Sequence, residues 1–238
     1  MPDTLPDPWA VVRGTDWPSL KTARGTGKEL PGVLARLLGP DLTAEETGQA
    51  LDALEPVRHQ DTIYEATAPA ALCVAAVLAR RAEEHPGGAD GVCVLLLGWL
   101  AGVAYDSDDA CVAAADRYFE GRYLDASPAM VAIRALRPAL YLAVAPFLGD
   151  PDTAGRDTAL AAALAFAEHP DLAPHREGLA EHARNLLLVS DTRWRRWQAI
   201  DALTSWGYDT TGLTRPDDDD RSPLTWPSDG WNPGQPPF

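Results

Sequence analysis

Apolar residues recur at helical spacing almost without interruption between Leu30 and Trp206, and no other feature narrows the choice of fold so far. Alanine and leucine dominate the stretches 70–82, 92–104 and 158–167, and alternating β-branched runs that would make a sheet are few. The punctuation agrees. Thr43 with Glu46 and Thr62 with Glu65 fit a capping box, in which each side chain satisfies a free backbone donor at the other's position. Ser127-Pro128 sets a cap before a proline at the first helical position, where a missing N–H costs nothing. Thr153 and Thr192 each follow an aspartate and open a further helix. Gly39-Pro40, His85-Pro86-Gly87-Gly88, Gly149-Asp150-Pro151 and His169-Pro170 are stops. The pattern predicts helices near 30–38, 43–57, 62–84, 90–104, 107–122, 128–148, 153–168, 174–189 and 192–206.

Short turns between these helices favour antiparallel neighbours. Two of the turns look alike: Asp150 leads to Arg156, and Asp191 leads to Arg195, each followed by an alanine- and leucine-rich run. The two aspartates are 41 residues apart (191 − 150), a period of HEAT and armadillo units. A weaker copy turns at Ser107-Asp108. One hairpin cannot bury both its faces, whereas stacked hairpins share a continuous core. The expected fold is therefore all-α, a right-handed solenoid of antiparallel hairpins, with each turn aspartate pairing with the arginine after it. Residues 1–29 are expected to form an extension and 30–212 the repeat domain. Residues 213–238 are expected to be an acidic Pro/Trp-rich tail, partly docked on the last repeat.

Charge limits the partners. Thirty-five acidic against 20 basic residues leave a formal charge of −15, which repels phosphate backbones and anionic lipid. Nucleic acid and membrane are thus excluded as expected partners, and a basic protein is the electrostatic complement. No run of 18 or more apolar residues stands out, and the Pro- and Asp-rich start is unlike a secretion signal. Cys73, Cys93 and Cys111 lie in apolar helical runs without a CxxC, as reduced core cysteines do in a cytoplasmic protein.

No cofactor or metal is expected. His59, Asp61 and Glu65 form the densest polar cluster, but their place at a helix start is explained by capping. Contact with a ligand is the alternative for this cluster, including Tyr64. His175 and His182 are two turns apart without a third ligand nearby, and His85 and His169 suit helix C-termini. Gly25-Thr26-Gly27-Lys28 lacks the full spacing of a phosphate loop, and no GxSxG elbow occurs. The turn carboxylates are more suggestive. Asp106, Asp108, Asp109, Asp150, Asp152 and Asp191 would line one edge of a solenoid as a negative ridge. Trp194 and Trp197 share a helix face beside Arg193, Arg195 and Arg196, and aromatics and arginines anchor interfaces. Packing against Trp226 and Trp231 of the tail is their other use. The candidate partner-binding set is these six aspartates with Tyr64, Glu65, Trp194 and Trp197.

The stretch from His59 to Ala68 (HQDTIYEATA), preceded by Leu51-Asp52-Ala53-Leu54, resembles a segment of actinobacterial HEAT-repeat proteins. Trp17-Pro18 through Leu30-Pro31-Gly32-Val33-Leu34 is similar to the start of the same group, and the likeness extends from Trp17 to Leu213. Some relatives in that group look like immunity proteins that neutralise toxins. The resemblance, taken with the charge, implies a non-catalytic antagonist that occludes a basic toxin, and a monomer is expected over a homo-oligomer. It brings no catalytic residues. A general scaffold for several proteins is the alternative; a HEAT-like nucleic-acid enzyme would need a basic groove, and the charge here has the wrong sign.

Overall fold

The computed structural model describes residues 4–39, 41–84 and 88–215, and the chain is mostly helical. In order come α1 (Pro8–Gly14), the ribbon β1 (Lys21–Thr22) and β2 (Gly25–Thr26), α2 (Leu30–Leu37) and α3 (Ala44–Asp52). A second ribbon, β3 (Arg58–His59) and β4 (Thr62–Ile63), precedes α4 (Thr67–Glu84) and α5 (Gly91–Asp106). Next are α6 (Asp109–Phe119), α7 (Tyr123–Ala126), α8 (Pro128–Ala135) and α9 (Arg137–Val144). The chain closes with α10 (Thr153–Phe166), α11 (Arg176–Val189) and α12 (Arg193–Ser205).

The helices pack in two rows. One joins α2, α4 and α9; the other joins α3, α5, α10 and α12. The rows are sewn together where α4 meets α5 and α9 meets α10, while α6 to α8 form a detour from the second row back to the first. Helix α5 is apolar all round because it has neighbours on nearly every side. Leu96, Leu97, Leu100 and Val103 are fully buried, each stabilising the fold by about 1.5–3 kcal/mol. Its closest neighbour, α10, presents Ala159, Ala162, Ala163 and Gly155, and small side chains let two helix axes approach. At Gly155 a Cβ would stand 2.8 Å from that of Ala89. That contact joins the starts of α5 and α10, and a bond from the Asp109 N–H to Glu168 joins their ends, so the two helices run parallel. Arg195 meets Asp157 near the starts of α12 and α10, and Glu168 and Trp206, just past their ends, line one cleft, so α12 runs in the same direction.

Several expectations about the elements change. Thr43 and Glu46 do form a capping box, and Ser127 does cap α8. Thr62 and Glu65 do not. Thr62 pairs with His59 across the second ribbon, whose tip residues Gln60 and Asp61 both have positive φ (50° and 57°). That is a two-residue turn matched to strand twist, normally marked by Asn-Gly. The helix starts only at Thr67, and Glu65 instead accepts from the Lys21 N–H at 3.0 Å. The expected helix at 43–57 stops at Asp52, and the one at 128–148 breaks into α8 and α9 ahead of Pro138.

Residues 4–29 belong to the core rather than to an extension. Trp17 is 1% exposed and donates its indole N–H to the Val12 carbonyl at 2.8 Å. A short 3₁₀ turn, a ribbon and a helix occur twice at an offset of 37 residues, from Lys21 to Arg58 (58 − 21) and from Leu30 to Thr67 (67 − 30). The two ribbon units dock on each other: Ala23 N–H donates to Pro56 O and Ala66 N–H to Lys21 O. By length and mean hydropathy the stretch Gly91–Phe119 could cross a membrane; 56% of its apolar window is buried inside the fold, as in a core helix.

Candidate functional site

The corner between α5 and α6 gathers the polar groups of four elements. Arg58 of β3 lays its guanidinium over Gly102, where a Cβ would come within 2.6 Å of it. It then grips both oxygens of Asp106 through Nε and Nη2, and Asp61 through Nη2 at 3.5 Å. Asp106 is 1% exposed; burial pushes its pKa up to about 6, against the pull of Arg58. Asp108 is buried and caps α6, accepting from the Cys111 N–H at 2.7 Å. Burial raises its pKa as well.

Asp109 meets the guanidiniums of Arg134 and Arg137, and Ser107 O accepts from the same two arginines. Burial works to raise the Asp109 pKa, but these partners together hold it below its ordinary value. Arg137, 2% exposed, also reaches Glu168 at 2.9 Å. Burial pushes Glu168 up to about 8, with Arg137 opposing. This corner is a clasp between helix ends.

The expected negative ridge therefore does not form. Asp106, Asp108 and Asp150 are buried, and their oxygens hold internal donors. Asp150 accepts from the N–H groups of Ala89 and Asp152, and Asp152 caps α10 through Gly155 N–H. Asp109, although its side chain is 59% exposed, is held by its two arginines. Asp191 is exposed and paired with Arg215 at 2.6 Å. The turn aspartates do not pair with the arginines that follow: Arg156 reaches the Asp150 carbonyl at 3.4 Å, and Arg195 reaches Asp157 at 2.9 Å. Tyr64 is half-buried, and Glu65 ties Lys21. Arg196 is buried against the carbonyls of Leu187 and Leu213. Trp226, Trp231 and the aspartates at 217–220 lie outside the described residues.

Trp194 and Trp197 do come together, with a companion that the sequence did not single out. Their rings stack at 5.2 Å, and Trp194 meets Tyr105 of α5 edge-on at 4.8 Å. Burial, reinforced by nearby carboxylates including Asp61, pushes Tyr105 up to about 12. Trp194 remains 39% exposed. Beside this aromatic strip, a cleft of ≈ 30 Å³ opens between α10 and α12. Ala161 and Ala165 leave room for it; Asp108, Glu168, Trp197, Gln198, Asp201 and Trp206 line it. Arg176 already lies 5.6 Å from the centroid of the Trp206 ring. Among the described residues, the side-chain oxygen of Gln198 is buried without a hydrogen-bond partner, a state costing about 1–3 kcal/mol.

Arg58, Arg134, Arg137 and Glu168 escaped the sequence reading because their partners are 25 to 59 positions away. Only the apolar setting of Glu168, at the end of an alanine-rich helix, hinted at burial. Among the described residues, no three His, Cys, Asp or Glu side chains are grouped to hold a metal ion. His59 pairs with Glu55, and His175 packs on Tyr141 at 4.8 Å between ring centres. Compared with protein-family models, curated proteins and solved structures, the chain has no match.

Proposed function

We propose that this chain is a non-catalytic binding module, a short HEAT-like solenoid that captures and occludes a basic protein. The observation behind this reading is the strip of Tyr105, Trp194 and Trp197, with Asp61 close enough to act on Tyr105 and Asp201 in the cleft lining beside Trp197. Half-exposed tryptophans on a rigid helix serve as interface anchors, and surrounding carboxylates select a cationic partner. The charge of −15 speeds the encounter. The solenoid reading is supported by the parallel course of α5, α10 and α12 and by the row of first helices behind them. The sequence resemblance to actinobacterial immunity proteins makes a toxin the partner class of choice. The clasp at the α5–α6 corner favours a non-catalytic role, since its ionisable groups are engaged in holding helix ends.

The test is capture of partners by the full chain, then titration of the captured protein at about 50 and about 300 mM salt. The expected result is one basic protein, bound one to one and suppressed in toxicity by co-expression. Its affinity should fall roughly tenfold at the higher salt and again with W194A/W197A. Binding indifferent to both salt and the tryptophans would overturn the reading.

A further inference from the structure

We infer that the last segment of the chain, residues 216–238, covers the apolar corner formed by the end of α11 and the start of α12. Leu188 and Val189, consecutive at the end of α11, are 70% and 72% exposed, and Trp194 in the first turn of α12 is 39% exposed. Single apolar side chains on a surface need no cover, but three of them flanking one turn make a patch that water solvates poorly.

The course of the chain names the occupant. Beyond α12 it turns back along α11. The Arg184 guanidinium lies 4.9 Å from the Tyr208 ring centre, the Leu213 carbonyl accepts from Arg196 at 2.9 Å, and Arg215 reaches Asp191 at 2.6 Å. Asp191 stands two residues after Val189 and three before Trp194, so the described chain ends at the patch. The remaining residues continue from there and carry Leu224, Trp226, Trp231 and Phe238. Trp226 is 11 positions past Arg215 (226 − 215). Even a loose coil of that length spans roughly 18 Å, enough to lay the indole on the patch. A segment tethered so close meets its site at an effective concentration on the order of millimolar, so modest apolar contacts hold it. Pro223, Pro227 and Pro233 flank the two tryptophans and lessen the freedom lost on docking.

Charge agrees. The first turn of α12 holds Arg193 and Arg195 and no acidic residue, and a helix start favours negative charge beside it. Asp217 to Asp220, four carboxylates that begin two residues after Arg215, meet that need. The inference goes beyond the basic-partner reading, with which it shares Trp194: a partner seated on that ring displaces the tail.

The experiment is fluorine NMR of the full chain labelled with fluorotryptophan, with a soluble gadolinium chelate reporting exposure. The expected result is that the Trp226 and Trp231 signals stand apart from free fluorotryptophan and are shielded from the chelate, at low and high protein concentration alike. L188D/V189D, at exposed positions where the fold tolerates charge, should strip that shielding. W226A/W231A should shift the Trp194 signal and open it to the chelate. The Trp17 signal, from a ring 1% exposed, should stay in place in both variants and so reports an intact fold.

Tail signals at the free position and fully open to the chelate overturn the inference. Shielding that survives L188D/V189D puts the tail elsewhere and overturns it too. Shielding that develops only at high concentration makes a second copy the cover instead. Each of these outcomes leaves capture of a basic protein untouched, so the two readings fail separately.

Discussion

Asp106, Asp108 and Asp109 at the α5–α6 corner each meet a donor, whether a guanidinium or a helix N–H. In the adjoining α10–α12 cleft, to which Asp108 also contributes, the Gln198 oxygen meets none. Both places are rich in carboxylates and sit on the same row of helices, so composition alone would rank them together. Geometry separates them. Where arginines from β3, α8 and α9 reach in, acidic groups become internal fasteners. Between α10 and α12, among the described residues, one side-chain oxygen is left over, that of Gln198. An acidic residue in an inter-helix turn is thus a poor guide to exposed negative charge.

The contrast can be broken most forcefully at the corner. R58A leaves Asp106 buried beside no cation, and removing one partner of a buried pair costs about 3–5 kcal/mol. Urea unfolding at neutral pH should show a loss of that size. The loss should shrink near pH 5, where Asp106 is protonated in either chain.

A smaller effect separates the two regions by pH. Glu168 holds its proton up to about 8 when folded, whereas an ordinary glutamate releases it near 4.5. Over that window the unfolded chain has lost a proton that the folded chain keeps, so stability falls as pH rises. Asp106 acts in the same sense from its ordinary range up to about 6. Asp90, which caps α5 through the Cys93 N–H and pairs with Arg81, is held down to about 2 by these donors against its burial and acts in the opposite sense: its contribution is lost only as pH falls from near 3.8 toward 2. The thermal midpoint should therefore be higher at pH 5.5 than at pH 8, by roughly 5 °C. E168Q should flatten that slope, and an unchanged slope would remove Glu168 from the account.

Smallest is the ribbon tip. Q60N, which places a residue tolerant of positive φ in the turn, should stabilise the chain by a few tenths of a kcal/mol, read from its urea midpoint.

Much of the helical architecture was legible, because amphipathic spacing and caps are local. The Thr43–Glu46 box and the Ser127-Pro128 start were readable from four or five residues. The second ribbon was not, since Gln60-Asp61 carries no glycine or asparagine to announce its turn, and Thr62 with Glu65 imitates a capping box three residues apart. The 37-residue recurrence of turn, ribbon and helix was hidden because its two copies share backbone shape more than residue identity. The tryptophan pair was visible as an i, i+3 spacing on one helix. Its companion Tyr105 lies 89 positions away (194 − 105), so only the packing of α5, α10 and α12 brings the strip together. The unsatisfied Gln198 oxygen has no sequence signature at all.

The central claim is that the aromatic strip forms the contact surface for a basic partner. Hydrogen exchange of the full chain, with and without its captured basic protein at low salt, tests this most directly. The account predicts slowed exchange in α12, the end of α10 and the β3–β4 tip, with α1 to α3 unchanged. Protection confined to α1 to α3, or to the turn holding Asp150 and Asp152, would place the partner elsewhere and contradict it.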